Sequence, residues 1–247
     1  MKFLISIVLF SAHLAWAAPK SPCAHVTYEN GGYDLCRFAN DGSWNVRTYW
    51  KNPEGNAFGT LLRFSKSFQK NPSKLVFACN GSASQSDLTP AGLYIEDGKE
   101  LVPLVQPNTE GLGNIFIRPN GVFFVEKDRA DVRTTEEFIA LKSKPEFANQ
   151  SGPMLLVNGE ISSRLDPKGT SLKTRNAVCV GDDLVFAISS QALNFYTFAT
   201  FLKSIGCKNA LNLDVTNSSL FVPSLDRRDL WTPVGPIIAV LKAEPTH

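Results

Sequence analysis

The feature that most constrains this chain is a procession of short turn signals, each set between apolar runs. Asn30-Gly31-Gly32 lies between Cys23 and Cys36, and Asp97-Gly98 separates Gly92–Glu96 from Glu100–Leu104. Pro119-Asn120-Gly121 separates Ile115–Arg118 from Val122–Val125, and Asn158-Gly159 follows Met154–Val157. Gly181-Asp182-Asp183 separates Ala177–Val180 from Leu184–Ile188. Asn, Asp and Gly tolerate the positive φ that tight hairpin loops demand, so each signal predicts two antiparallel strands. Further strands are expected at Trp44–Trp50, where Trp44, Val46, Thr48 and Trp50 alternate with polar neighbours, at Lys74–Cys79, at Ala210–Leu213 and at Val234–Leu241. Seventeen Phe residues suit such a fold.

Helices interrupt the hairpins. Phe58, Leu61, Leu62 and Phe68 suggest a short amphipathic helix before Pro72. Thr134-Thr135-Glu136-Glu137 offers a capping box for a helix to about Leu141. Asn194 can cap a third helix, whose Phe195, Phe198, Ala199, Leu202 and Ile205 recur at helical spacing before Gly206 stops it. The expected fold is α+β: one domain of mixed, largely antiparallel sheets built from hairpins, with two or three packed helices.

Residues 1–17 read as a signal peptide: Lys2, an apolar run from Phe3 to Leu14, then Ala15-Trp16-Ala17. The run is too short to span a bilayer, and no other stretch is long and apolar enough. Residues 18–72 are then expected to form an N-terminal hairpin, strand and helix region of the same domain, continued by 73–247. The mature protein is expected to be secreted or periplasmic, with no stable membrane insertion. Overall net charge is +2, and Lys and Arg are scattered, so no nucleic-acid partner is implied.

All five cysteines follow the signal. Cys23 and Cys36 bracket a hairpin turn and are expected to pair; closing that loop is worth about 3 kcal/mol by loop entropy. Cys79, Cys179 and Cys207 have apolar neighbours and are expected to be buried thiols. His13 leaves with the signal and His247 is terminal, so His25 is the one internal histidine. That argues against a His-cluster metal site and a Ser-His-Asp hydrolase, and leaves a Cys79 nucleophile only a remote base. No metal or cofactor is implied.

Polar side chains gather just beyond apolar strands. Strand Ala210–Leu213 runs into Asp214-Val215-Thr216-Asn217-Ser218-Ser219, a carboxylate followed by small polar groups. Such a segment can hold a polar substrate or simply close a turn. Asn80 follows Cys79, Gly113-Asn114 opens the next strand pair, Gln150 lies in a loop before Met154, and Arg175-Asn176 opens the strand of Cys179. A planar guanidinium at a strand end suits two oxygens of a phosphate.

In order and spacing, these segments resemble the phosphodiester glycosidase family, the group that contains the α-N-acetylglucosaminidase called uncovering enzyme, and within it short bacterial secreted members. The likeness is carried by Asn80-Gly81, Thr89–Gly98, Gly113–Phe123, Gln150–Leu155, Arg175–Val178 and Asn194–Asp214, within residues 75–221. It implies hydrolysis of a sugar-1-phosphodiester, a small-molecule or glycan substrate. Asp214 would be the carboxylate, with Arg175, Ser218 and Ser219 receiving the phosphate. Asn80, Asn114 and Gln150 would bind substrate. The chain departs from the family at Val215 and Cys179, where the family usually carries Gly. Those departures keep a second reading open: a catalytically impaired member that binds a phosphosugar or envelope glycan.

Overall fold

The computed structural model describes residues 21–213 and 218–243; the expected signal peptide, Asp214 and Val215 lie outside them. In chain order the elements are β1 (Cys23–Tyr28), β2 (Gly31–Ala39), β3 (Trp44–Tyr49), α1 (Leu61–Lys66), β4 (Leu75–Asn80), β5 (Tyr94–Glu96) and β6 (Lys99–Val102). Next come β7 (Gly121–Glu126), β8 (Arg129–Thr134), α2 (Thr135–Leu141), β9 (Phe147–Ser151), β10 (Met154–Val157), β11 (Glu160–Ile161), β12 (Asn176–Val180) and β13 (Asp183–Ser189). Last are α3 (Phe195–Ser204), β14 (Asn209–Asn212), β15 (Leu220–Val222), β16 (Arg227–Arg228) and β17 (Ile237–Lys242).

The strands form three sheets, ordered β1-β2-β13-β12-β14-β10-β11, β16-β15-β4-β17-β3 and β6-β5-β9-β7-β8. Pairing among these described strands is antiparallel, as repeated hairpins require. The α+β expectation is met. The inner faces of all three sheets enclose one core that includes Phe38, Phe77, Phe123, Phe186, Leu211 and Ile238. Each outer face carries a helix: α3 on the first sheet through Phe198, Phe201 and Leu202, α1 on the second through Leu61 and Phe64, and α2 on the third through Phe138.

Local signals explain the helix ends. Thr134 Oγ1 accepts from Glu137 N while the Glu137 carboxylate accepts from Thr134 N, the predicted capping box. Asn194 Oδ1 accepts from Thr197 N to start α3, and Gly206, at φ +90°, follows its end. Across the first two sheets, buried Asp34 of β2 pairs with Arg227 Nη1 at 2.6 Å and with His25, the residue opposite it in β1.

Three local expectations are corrected. Residues 114–116 form a 3₁₀ turn rather than a strand, and β7 pairs with β8 across Lys127-Asp128 instead. Side chains hold the turn in place: Arg118 donates to the carbonyls of Gln106, Pro107, Thr109 and Ile115, and Asn120 donates to that of Ile115, which takes the Ile115 carbonyl from any strand ladder. Gln150 sits inside strand β9, not in a loop. Cys179 and Cys207 form a disulfide rather than two thiols, tying the end of α3 to β12 with a Cα separation of 5.7 Å. Cys23 and Cys36 are bonded as expected, directly opposite in register. Cys79 is free and buried.

Candidate active site

The interior changes character toward one end. Along β9 the inward row runs from Phe147, a core residue, to Asn149 and Ser151, and along β12 from Val178 to Asn176. The strand ends that meet there are those of β4 at Asn80, β9 at Ser151, β12 at Asn176 and β14 at Asn212. Registers place Ile237 opposite Asn80, Gly121 opposite Ser151 and Ala177 opposite Asn212.

Asn80 is the hub of one half. Its Nδ2 donates to Leu213 O at 2.8 Å, and its Oδ1 accepts from Asn176 Nδ2 at 2.8 Å and Ser219 N at 3.0 Å. Leu213 N donates to Asn176 O at 3.0 Å. Both residues that flank positions 214–218 are thereby fixed to β4 and β12. Ser218 Oγ lies 2.9 Å from Thr174 O and 3.2 Å from Asn176 Oδ1, so its single hydrogen serves one or the other. Ser219 is buried beside it. Asp214, the expected carboxylate, lies outside the described residues between these anchors.

Arg175 immediately precedes β12 and is 1% exposed. Its Nε donates to Leu193 O at 3.3 Å, its Nη2 donates to Ser171 O at 2.8 Å, and its guanidinium carbon stands 3.9 Å from the Phe195 ring centroid. Ser189 Oγ accepts from its backbone N–H. These contacts fix the plane of the guanidinium and engage Nε and Nη2 with the carbonyls of Leu193 and Ser171.

The other expected residues divide. Asn114 opens the 3₁₀ turn, and its carbonyl oxygen would stand 2.7 Å from a Cβ added at Gly152. Only glycine permits that approach. Gly152 in turn accepts from Asn212 Nδ2 at 2.9 Å, which joins Asn114 to the β14 end. Gln150 points away from this interior, to the outer face of its sheet. There its Oε1 accepts from Leu93 N and Val105 N, and its Nε2 donates to Val105 O and Thr135 Oγ1, all within 3.1 Å.

Asn149 and Ser151 are not among the expected site residues. The alternation of Phe147, Asn149 and Ser151 against Ala148 and Gln150 is the signal that finds them once β9 is a strand. Burial pushes the Cys79 thiol up, and His25 is paired with Asp34 on the far side of a hairpin, so a thiol nucleophile has no support here.

Against known proteins, a family model for phosphodiester glycosidases matches residues 73–240. An uncharacterized protein of Escherichia coli, YigE, is 38% identical over 180 residues, covering 72% of this chain and 69% of that protein. Among solved structures, the fold is similar to the zebrafish N-acetylglucosamine-1-phosphodiester alpha-N-acetylglucosaminidase catalytic domain auto-inhibited by pro-peptide. That match has a TM-score of 0.60 and 17% identity, over 88% of this chain and 81% of that one. A hypothetical protein from Synechocystis follows at 0.56 and 15%, over 90% and 61%.

Proposed function

The chain belongs to the phosphodiester glycosidase family, and on that premise we propose that it is an extracytoplasmic glycosidase that hydrolyses a sugar-1-phosphodiester. The observation that carries the reading is the grip of Asn80 and Asn176 on Leu213 and Ser219. It holds both ends of the Asp214 segment on rigid strands, one of them β12, which Arg175 immediately precedes; fixed strand ends are what a preorganised polar site needs.

In the proposed reaction a water oxygen bonds to the anomeric carbon while the bond from that carbon to the phosphate oxygen breaks. The bonding electrons leave with the phosphate monoester, and the water's proton passes to Asp214. A phosphate monoester is a good leaving group, so the second carboxylic acid of ordinary glycosidases is less necessary. Arg175, the Ser hydroxyls and nearby backbone N–H groups receive the negative charge; Ser218 does so by turning its hydrogen away from Thr174 O. Two disulfides and the leader-like residues 1–17 support an oxidising compartment. Among the described residues no helix is long and apolar enough to cross a membrane.

The test is release of free sugar from an alkyl N-acetylglucosamine 1-phosphodiester. Wild type should be active and Asp214→Asn inactive but folded. If Asp214 merely shapes a turn, Asn is among its best substitutes and little changes. Arg175→Lys should raise KM for the phosphodiester at least tenfold and spare neutral-sugar binding; equal loss on both would reduce Arg175 to a scaffold residue. The second reading, a binding protein without turnover, is favoured by Val215 in place of the family's Gly. The Cys179 departure has a separate explanation in its disulfide. Val215→Gly tests the alternative by restoring turnover.

A further inference from the structure

Asn149 and Ser151 are both fully buried, yet Asn149 Nδ2, Asn149 Oδ1 and Ser151 Oγ have no hydrogen-bond partner among the described residues. Buried polar atoms in folded proteins are nearly always bonded, so a pair left empty side by side asks for an explanation. General looseness does not supply one. Gln150, between them in sequence and equally buried, makes four hydrogen bonds through the same kind of amide. Asn80 and Asn120 nearby are bonded through both oxygen and nitrogen, and Asn176 is bonded through its nitrogen.

The pair also lies where a ligand is expected. Both side chains face the interior at its polar end, and Asn149 Nδ2 is 3.4 Å from where a Gly81 Cβ would be, beside the Asn80 hub. The cross-strand neighbours of Asn149 are Tyr94 and Phe123, and that of Ser151 is Gly121, so none of them offers a charge. The chemistry follows from the donor and acceptor inventory. An amide presents both, and a hydroxyl presents both. A phosphate ester only accepts, and would set its negative oxygens against Asn149 Oδ1. A sugar hydroxyl donates to that oxygen and accepts from Nδ2.

We infer that Asn149 and Ser151 form a neutral subsite for hydroxyls of the sugar ring, separate from the phosphate-binding groups around Arg175. This rests on the sugar-1-phosphodiester reading and assigns the half of the substrate that reading leaves unplaced. A site built to bond a hydroxyl discriminates strongly against the analogue lacking it.

The experiment uses the mature chain as wild type, Ser151→Ala and Asn149→Leu, which matches Asn in heavy-atom count and branching. Each is titrated by NMR with N-acetylglucosamine and with inorganic phosphate, melted, and assayed on the alkyl N-acetylglucosamine 1-phosphodiester and its monodeoxy analogues. The expected result is at least tenfold weaker sugar binding, phosphate binding within twofold of wild type and an unchanged or raised Tm. A flattened preference between parent and one deoxy substrate should accompany it. Sugar binding within twofold of wild type in both variants overturns the inference, as does a lowered Tm with sugar and phosphate lost together, the signature of a structural role or a resident water. Wild type that binds no sugar overturns it as well. If wild type binds sugar through Asn149 but hydrolyses no phosphodiester, the subsite stands and the glycosidase reading fails; turnover unaffected in both variants gives the reverse.

Discussion

On β9, Asn149 and Gln150 are neighbours in sequence, chemically alike and equally buried, and they are treated in opposite ways. Gln150 stitches Leu93, Val105 and Thr135 to the outer face of its sheet through four hydrogen bonds. Asn149, one residue back and facing inward, holds none. The same division runs across the polar end, where Asn80 and Asn176 are bonded on one side and Asn149 and Ser151 are bare on the other. A bonded buried amide stabilises the fold. A bare one costs stability and persists where it serves something else.

The difference between the two amides is tested most severely by replacing each with leucine. Gln150→Leu strands several backbone groups and should lower unfolding free energy by about 4 kcal/mol in urea titrations. Asn149→Leu should stay within about 1 kcal/mol of wild type. Equal losses would erase the distinction. Next in size, Cys179→Ala with Cys207→Ala opens a loop of 28 residues in separation and should cost about 3.5 kcal/mol by loop entropy. The bond lies on the helix-covered face of its sheet, so kcat/KM of the folded variant should stay within twofold. A larger fall would mean that α3 helps to hold the Arg175 end.

The smallest effect concerns Tyr94, the cross-strand neighbour of Asn149, whose hydroxyl donates to the Glu96 carboxylate. Burial raises the Glu96 pKa above the ordinary carboxylate value, partly offset by that hydrogen bond. A folded pKa above the unfolded one adds stability below the unfolded value, and that stability is lost as pH rises through the folded value. Wild type should therefore weaken slightly as pH climbs out of the ordinary carboxylate range, and Glu96→Gln should flatten that slope. An unchanged slope in thermal melts across that window would show that Glu96 ionises as it does in the unfolded chain.

Much of the fold was legible because its signals are local. The turns at Asp97-Gly98, Asn158-Gly159 and Gly181-Asp182-Asp183, the Thr134 capping box and the Asn194 cap each act within a few residues. What failed is long-range. The Pro119-Asn120-Gly121 signal looked like a hairpin because nothing nearby reveals that Arg118 collects the carbonyls of the segment before it. Cys179 and Cys207 have apolar neighbours whether reduced or bonded, and their meeting depends on where α3 docks. At the polar end, the sequence order led to Asn80, Ser218 and Ser219, which meet at Asn176, and to Arg175, whose side chain lies against Ser171, Leu193 and Phe195. It could not separate bonded amides from bare ones, since that is settled by partners more than 40 residues away, as between Gln150 and Val105.

The proposed reaction breaks the bond between a sugar's anomeric carbon and a phosphate oxygen. The direct measurement is hydrolysis of an alkyl N-acetylglucosamine 1-phosphodiester in water enriched in heavy oxygen, with mass analysis of both products. The label is expected on the sugar's anomeric hydroxyl, with none in the phosphate monoester and no turnover by Asp214→Asn. Label in the phosphate would make the protein a phosphodiesterase that cleaves at phosphorus, and would overturn the glycosidase reading.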